Sequence, residues 1–414
     1  MGRFTTPHGS GRGARQAAVA VLAAGALILT AGCSSQEGVE STAGQGASSP
    51  AGSPPSPSGR AASPSTSPSA SRPAAGLPPA KGSVKVVSTL TEGLDSPWGL
   101  AELPDGDLLV SSRDKGTITR IDAKNGKKTL LGTVPGVAPA GEGGLLGIAV
   151  SPDYGTDHLV YAYFTTASDN RIARMLYDEN GTNPGQLLGA PDTILRGIPK
   201  GSIHNGGRIA FGPDRMLYAG TGETGDDGLA QDKKSLAGKI LRMTPDGEPL
   251  HGNPEADSVV YSYGHRNVQG LAWDGHKQLW AAEFGQDTWD ELNRIVPGGN
   301  YGWPEVEGKA GEAGFIDPVA QWKTSEASPS GIAFVKGSIW MAGLRGERLW
   351  RIPLSGTADK EPLAAPQSFL EGKYGRLRTV LAAGGNKLWL VTSETDTRGT
   401  PKAGDDRILV VEVR

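Results

Sequence analysis

Five polar stretches in this chain carry residue types that could do chemistry. Ser202-Ile203-His204-Asn205-Gly206-Gly207-Arg208 sets a histidine before two glycines. His204 can act as a general base near neutral pH, and glycines let a backbone turn sharply and approach a ligand closely. The alternative is a histidine hydrogen-bonded into a turn. Gly220-Thr221-Gly222-Glu223-Thr224-Gly225-Asp226-Asp227-Gly228 holds three acids, able to bind a hard cation or to polarise a histidine, without EF-hand spacing. Arg266 and Asn267, in Tyr263-Gly264-His265-Arg266-Asn267-Val268-Gln269-Gly270, offer forked donors suited to a carboxylate. Glu283-Phe284-Gly285-Gln286-Asp287-Thr288-Trp289-Asp290-Glu291, with Gly298-Gly299-Asn300-Tyr301-Gly302-Trp303-Pro304 after it, combines acids with loop carbonyls of the kind that coordinate Ca²⁺. Arg376 and Arg378 lie two apart, so on a strand they share a side and form one cationic patch for carboxylates. Arg345 adds a third cation.

Residues so far apart need a scaffold that gathers them. A phrase recurs six times: a Pro-Asp or Gly turn, a short apolar strand, a polar turn, then a second strand ending in Arg-Ile or similar. Pro104-Asp105-Gly106-Asp107-Leu108-Leu109-Val110 with Thr117-Ile118-Thr119-Arg120-Ile121 is the first copy. Lys387-Leu388-Trp389-Leu390-Val391 with Arg407-Ile408-Leu409-Val410-Val411 is the last. A spacing of roughly 50–60 residues is that of four-stranded blades, so the chain is expected to be an all-β, six-bladed β-propeller. The spare strand Val84–Leu90 should pair with the last blade, which ends without an outer strand, and so close the ring. The 61 glycines and 30 prolines suit such a turn-rich chain. Residues 84–414 read as one domain, with function at the loops of its mouth.

Other classes fit less well. A formal charge of −3 gives no basic field for nucleic acid. There is no Gly-x-Ser-x-Gly, no His-Glu-x-x-His, no phosphate-binding Gly-Lys-Ser/Thr loop and no Rossmann fingerprint. At the N-terminus, Arg3, Arg12 and Arg15 precede an apolar run from Ala17 to Ala31 and then Gly32-Cys33. This order resembles a bacterial lipoprotein signal over 1–32, with Cys33 as the lipidated residue and an extracytoplasmic, lipid-anchored location. Residues 33–80, rich in Ser, Pro, Ala and Gly, read as a disordered tether.

Across residues 97–414 the phrases Gly141-Glu142-Gly143-Gly144-Leu145-Leu146-Gly147, His204-Asn205-Gly206-Gly207-Arg208, Gly264-His265-Arg266-Asn267-Val268-Gln269-Gly270 and Gly298-Gly299-Asn300-Tyr301-Gly302-Trp303-Pro304 resemble the soluble PQQ-dependent sugar dehydrogenases, the glucose/sorbosone dehydrogenase family, in its aldose sugar dehydrogenase branch. The resemblance implies a six-bladed propeller, PQQ and Ca²⁺ as cofactors, a sugar as substrate and a separate electron acceptor. It makes His204 the base for the sugar C1 hydroxyl, Glu223 its support, and Glu142 a substrate neighbour. It makes Arg266, Asn267, Arg345, Arg376 and Arg378 cofactor contacts, with Arg266 also counted among the catalytic residues. Gly285 and Gln286 become carbonyl ligands of one Ca²⁺, and Glu291 with the Tyr301 carbonyl ligands of a second. The short loops imply a monomer. A non-enzymatic carbohydrate- or partner-binding propeller and a calcium-dependent lactonase are the alternative readings.

Overall fold

Both faces of most strands are buried, and the alternation of side chains explains how. In Leu108–Ser112 the side chains of Leu108 and Val110 join one apolar cluster, while Leu109, pointing the other way, joins another. Ser338–Gly343 does the same with Trp340 against Ile339 and Met341. Each cluster is an interface between neighbouring sheets, and six such clusters account for the buried core.

The sheets are six antiparallel blades of four strands. Blade 1 runs through Pro97–Glu102, Leu108–Ser112, Thr117–Ile121 and Lys128–Thr133. Blade 2 begins at Leu145–Val150, blade 3 at Ile209–Phe211, blade 4 at Val268–Trp273 and blade 5 at Pro329–Val335. Blade 6 comprises Leu377–Ala382, Lys387–Thr392, Ile408–Val413 and, as its outer strand, Val84–Thr91. Val84 pairs with Val413 in that closure, as expected from the spare strand. The six repeated phrases are the second and third strands of the six blades. The innermost strands abut one another in a closed cycle. Glycines permit this at the axis: a Cβ on Gly147 would meet the Gly207 carbonyl, and one on Gly270 the Ser330 carbonyl.

The computed structural model describes residues 77–356 and 361–414. The signal segment, Cys33 and most of the tether lie outside the described residues. Among these, no helix is long and apolar enough to cross a membrane. The described residues begin at Leu77, before the first strand. Arg351, buried in blade 5, donates from Nη2 to the Pro79 carbonyl at 2.7 Å, and Pro78 packs on Gly337. A guanidinium with two forked donors captures the carbonyls of a segment whose prolines have few donors of their own.

Candidate active site

Two kinds of loop build the mouth. Loops leading into the innermost strands supply Glu142, His204, Asn267, Ser328 and Arg376. Loops following the second strands supply Arg113, Glu223, Phe284, Arg345 and Asp396. All of these except Glu223 line one cleft of about 640 Å³.

His204 sits in left-handed backbone at φ 52°, between two glycines' worth of tight turn and the Glu223 loop. Its N–H donates to Glu142 Oε2 at 3.0 Å, and its carbonyl accepts from Thr224 N–H at 3.2 Å. These bonds aim the ring. Its Nδ1 is hydrogen-bonded to Glu223 Oε1, and Glu223 is 0% exposed. A carboxylate oxygen accepts, so the ring proton sits on Nδ1 and the Nε2 lone pair is left for the cleft. Glu223 is thus the one acid of its loop that reaches the histidine. Asp226 precedes, and Asp227 starts, a short 3₁₀ turn on the far side.

The floor is cationic. Arg376 Nη2 and Arg378 Nη2 both donate to Asp396 Oδ2, each at 2.9 Å, so the pair two apart does converge. Arg378 also donates to Gln269 Oε1 at 3.0 Å. Arg208 bonds the Gln269 carbonyl at 2.7 Å, and its guanidinium lies 4.4 Å from the Trp98 ring centroid, with that of Arg378 5.7 Å from it. Burial pushes Arg208 down to about 9, and the charge of Arg378 adds to this. Burial likewise lowers Arg378 to about 10, against the pull of Asp396. Burial would raise Asp396, but Arg378 and Arg376 outweigh it and hold the carboxyl at about 2. Arg113 is engaged by Asp114 at 2.7 Å. Arg113, Arg345, Arg376, Arg378 and Arg398 line the cleft against two acids, Asp396 and Glu142, with Arg208 buried behind Trp98 and Arg113 also paired to Asp114; Arg376 Nε has no partner. Buried cations in excess of anions are costly unless a ligand supplies the missing charge.

Beneath the next loop the balance reverses. Glu283 and Glu291 both accept from Asn293 Nδ2 at 2.9 Å. Burial raises both carboxyls, each charge opposing the other's ionisation in the case of Glu291. Asp290, accepting from Gly285 N–H and Ser328 N–H, is pushed by burial up to about 7. His265, bonded to Glu283 at 3.0 Å and stacked on Tyr301, is driven by burial down to about 3.

Two groups of expected site residues lie outside the cleft. Arg266 is not part of the cationic floor. Its Nη1 donates to the Gly285 carbonyl at 2.6 Å, and its guanidinium lies 5.3 Å from the Trp303 ring centroid. Half-buried, it is drawn toward carbonyls and an aromatic face rather than into the cleft. In consequence the Gly285 carbonyl is already bonded to a cation, and Gln286 is turned outward with its N–H on Glu307 at 2.7 Å. Among the described residues no group of three or more His, Cys, Asp or Glu is arranged to hold a metal. Trp98, Arg113, Gln269 and Asp396 escaped the sequence reading. Register could have found two of them: Arg113 and Asp396 follow the second strand of their blades, as Glu223 and Arg345 do in theirs.

A propeller mouth with unmet buried positive charge beside a carboxylate-oriented histidine defines a class, a cleft for a small polyanion served by a base. The family model described as Glucose / Sorbosone dehydrogenase matches residues 94–400, and the chain belongs to that family. It is 34% identical over 271 residues to the aldose sugar dehydrogenase of Escherichia coli, covering 60% of this chain and 72% of that one. It is 31% identical over 258 residues to quinoprotein glucose dehydrogenase B of Acinetobacter calcoaceticus, covering 55% of this chain and 54% of that relative. Among solved structures, the PQQ-bound form of aldose sugar dehydrogenase from Streptomyces coelicolor is 74% identical, with a TM-score of 0.80, covering 81% of this chain and 100% of that one.

Proposed function

We propose that this protein is a quinoprotein oxidoreductase that oxidises the C1 hydroxyl of an aldose to the lactone. The observation that carries the reading is one cleft holding both an excess of buried guanidiniums and a histidine tied to a buried carboxylate. PQQ is a planar tricarboxylate, and the donor set fits it. Arg376 and Arg378 would hold carboxylates, and Arg345, Asn267 and Trp98 line the same cleft. The bound quinone supplies a two-electron acceptor for the C1 hydrogen and its electron pair.

The protein's own groups do the rest. His204 Nε2 takes the C1 hydroxyl proton, and Glu223 holds the ring and stabilises the imidazolium that forms. Glu142 fixes the His204 loop from the substrate side. For Ca²⁺, the buried pair Glu283 and Glu291 fits better than the Gly285 loop. Both carboxyls are raised, and Asn293 Oδ1 is buried without a donor. A cation held there by Glu291 and the Tyr301 carbonyl would let these acids ionise and would stiffen the wall behind the Gly285 loop. The reading includes lipidation at Cys33 and an extracytoplasmic location, supported by the residue order of 1–33.

The test is reconstitution of purified protein with PQQ and Ca²⁺, followed by dye reduction and lactone analysis with several aldoses. Lactone formation coupled to dye reduction is expected. Full quinone occupancy without reduction by any aldose would contradict the reading. Lactone hydrolysis without quinone would favour the lactonase, and sugar binding without quinone uptake the binding module.

A further inference from the structure

A second cleft of about 480 Å³ adjoins the first on the blade 5 and blade 6 side. The two share Arg345, Arg376 and Arg398 as a common wall. The annex contains neither His204 nor Asn267, so a ligand in it does not meet the base. Its lining is mostly polar and charged.

Its acids are largely spent. Glu394 accepts from the backbone N–H groups of Arg376 at 2.6 Å and Thr400 at 2.7 Å. Asp405 accepts from Lys402 N–H at 2.8 Å and Arg407 Nη2 at 2.7 Å. Glu347 alone is uncommitted. The cations are not spent. Among the described residues the Lys402 ammonium and Arg345 have no hydrogen-bond or ion-pair partner, and Lys373 has only the Tyr374 ring, 5.4 Å from its nitrogen. Arg407 Nε is buried and unpartnered. Arg398 is exposed and reaches back to Glu142 Oε1 at 2.8 Å, joining the annex rim to the His204 wall.

We propose that this annex is a second anion site, taking a small carboxylate- or phosphate-bearing molecule beside the cofactor cleft. On a chain of net charge −3, a rim of free cations at one mouth is a local attractor, and ligands arriving there are steered toward the cofactor's edge. The ligand class has two sources: the acid-bearing end of a sugar whose C1 lies at His204, or an anionic electron acceptor that needs the cofactor's edge but no base. The proposal rests on the functional reading above only through the shared wall.

The test uses cofactor-loaded protein, so that Arg376 and Arg378 are already occupied. Loading is read first from the quinone's absorbance, which exposes any failure of the functional reading before the annex is probed. Calorimetric titration with inorganic pyrophosphate then measures binding to wild type and to the double charge reversal Lys373→Glu and Lys402→Glu, both exposed residues outside the catalytic pair. Saturable binding, weakened about tenfold or more in the variant and by added salt, is expected. A lower kcat/KM for glucuronate and glucose 6-phosphate, with glucose unchanged, assigns the annex to substrate. A higher KM for ferricyanide, with a neutral quinone acceptor unchanged, assigns it to the acceptor. No pyrophosphate binding at low salt, or equal binding by wild type and variant, overturns the proposal.

Discussion

Two buried charge clusters lie near one another at the mouth, with opposite imbalance. In the cleft, Arg113, Arg345, Arg376, Arg378 and Arg398 exceed Asp396 and Glu142, and Arg208 lies buried behind Trp98. Under the Gly285 loop, Glu283, Glu291 and Asp290 are accompanied by a histidine held neutral. Guanidiniums cannot shed their charge at physiological pH, so the cleft must borrow an anion from outside. Carboxyls can be neutralised, so the acid cluster keeps protons until a cation replaces them. The first cluster is therefore a ligand site by necessity. The second is a support whose state depends on pH and metal.

His204 should govern turnover, whereas the buried carboxyls, Asp396 in the cleft and Glu291 in the acid cluster, should govern how stability depends on pH. The largest effect is expected for His204→Ala, with kcat lower by roughly 10²–10⁴-fold in steady-state assays while calorimetric quinone affinity is kept. Loss of both would make the histidine structural and would break the contrast.

Next is Asp396→Asn. A carboxyl held at about 2 rather than 3.8 contributes on the order of 2 kcal/mol at neutral pH, lost as pH falls from about 4 through 2. Denaturant melts of the apo-protein should show that acid limb in wild type and not in the variant. Added quinone should restore more stability to the variant, whose guanidiniums lack their anion.

The smallest effect is expected for Glu291→Gln. Raised carboxyls favour the fold while protonated, so metal-free wild type should lose stability as pH climbs above the ordinary carboxylate range. The amide should flatten that slope by about 1 kcal/mol, or a few degrees in Tm, and remove the stabilisation by Ca²⁺. Identical pH slopes in thermal melts would detach the acid cluster from any such role.

Much of this was legible in the sequence because a propeller repeats. Turn residues and paired apolar strands mark each blade, and Lys387–Thr392 with Ile408–Val413 announce a blade that lacks an edge. His204 with Glu223, and Arg376 with Arg378, were found because their neighbours in the chain are unusual. Asp396 and Trp98 were not, because each is ordinary locally and acquires meaning only when the ring closes. Trp98 lies more than a hundred residues from Arg208 and farther still from Arg378, the two guanidiniums it accompanies. Arg266 lies apart from the cleft for a reason that spacing does not carry. Its neighbour Asn267 does line the cleft, but a nearby carbonyl competes for the guanidinium, and spacing says nothing about such competition.

The central claim is that the excess of guanidiniums exists to hold a tricarboxylate. Calorimetric titration of apo-protein with PQQ, in wild type and in the Arg376→Ala, Arg378→Ala double variant with retained fold checked by circular dichroism, addresses it directly. The account expects one-to-one binding to wild type and a loss of affinity of about 100-fold or more in the variant. Equal affinity in the two proteins, or no binding to wild type, would contradict it.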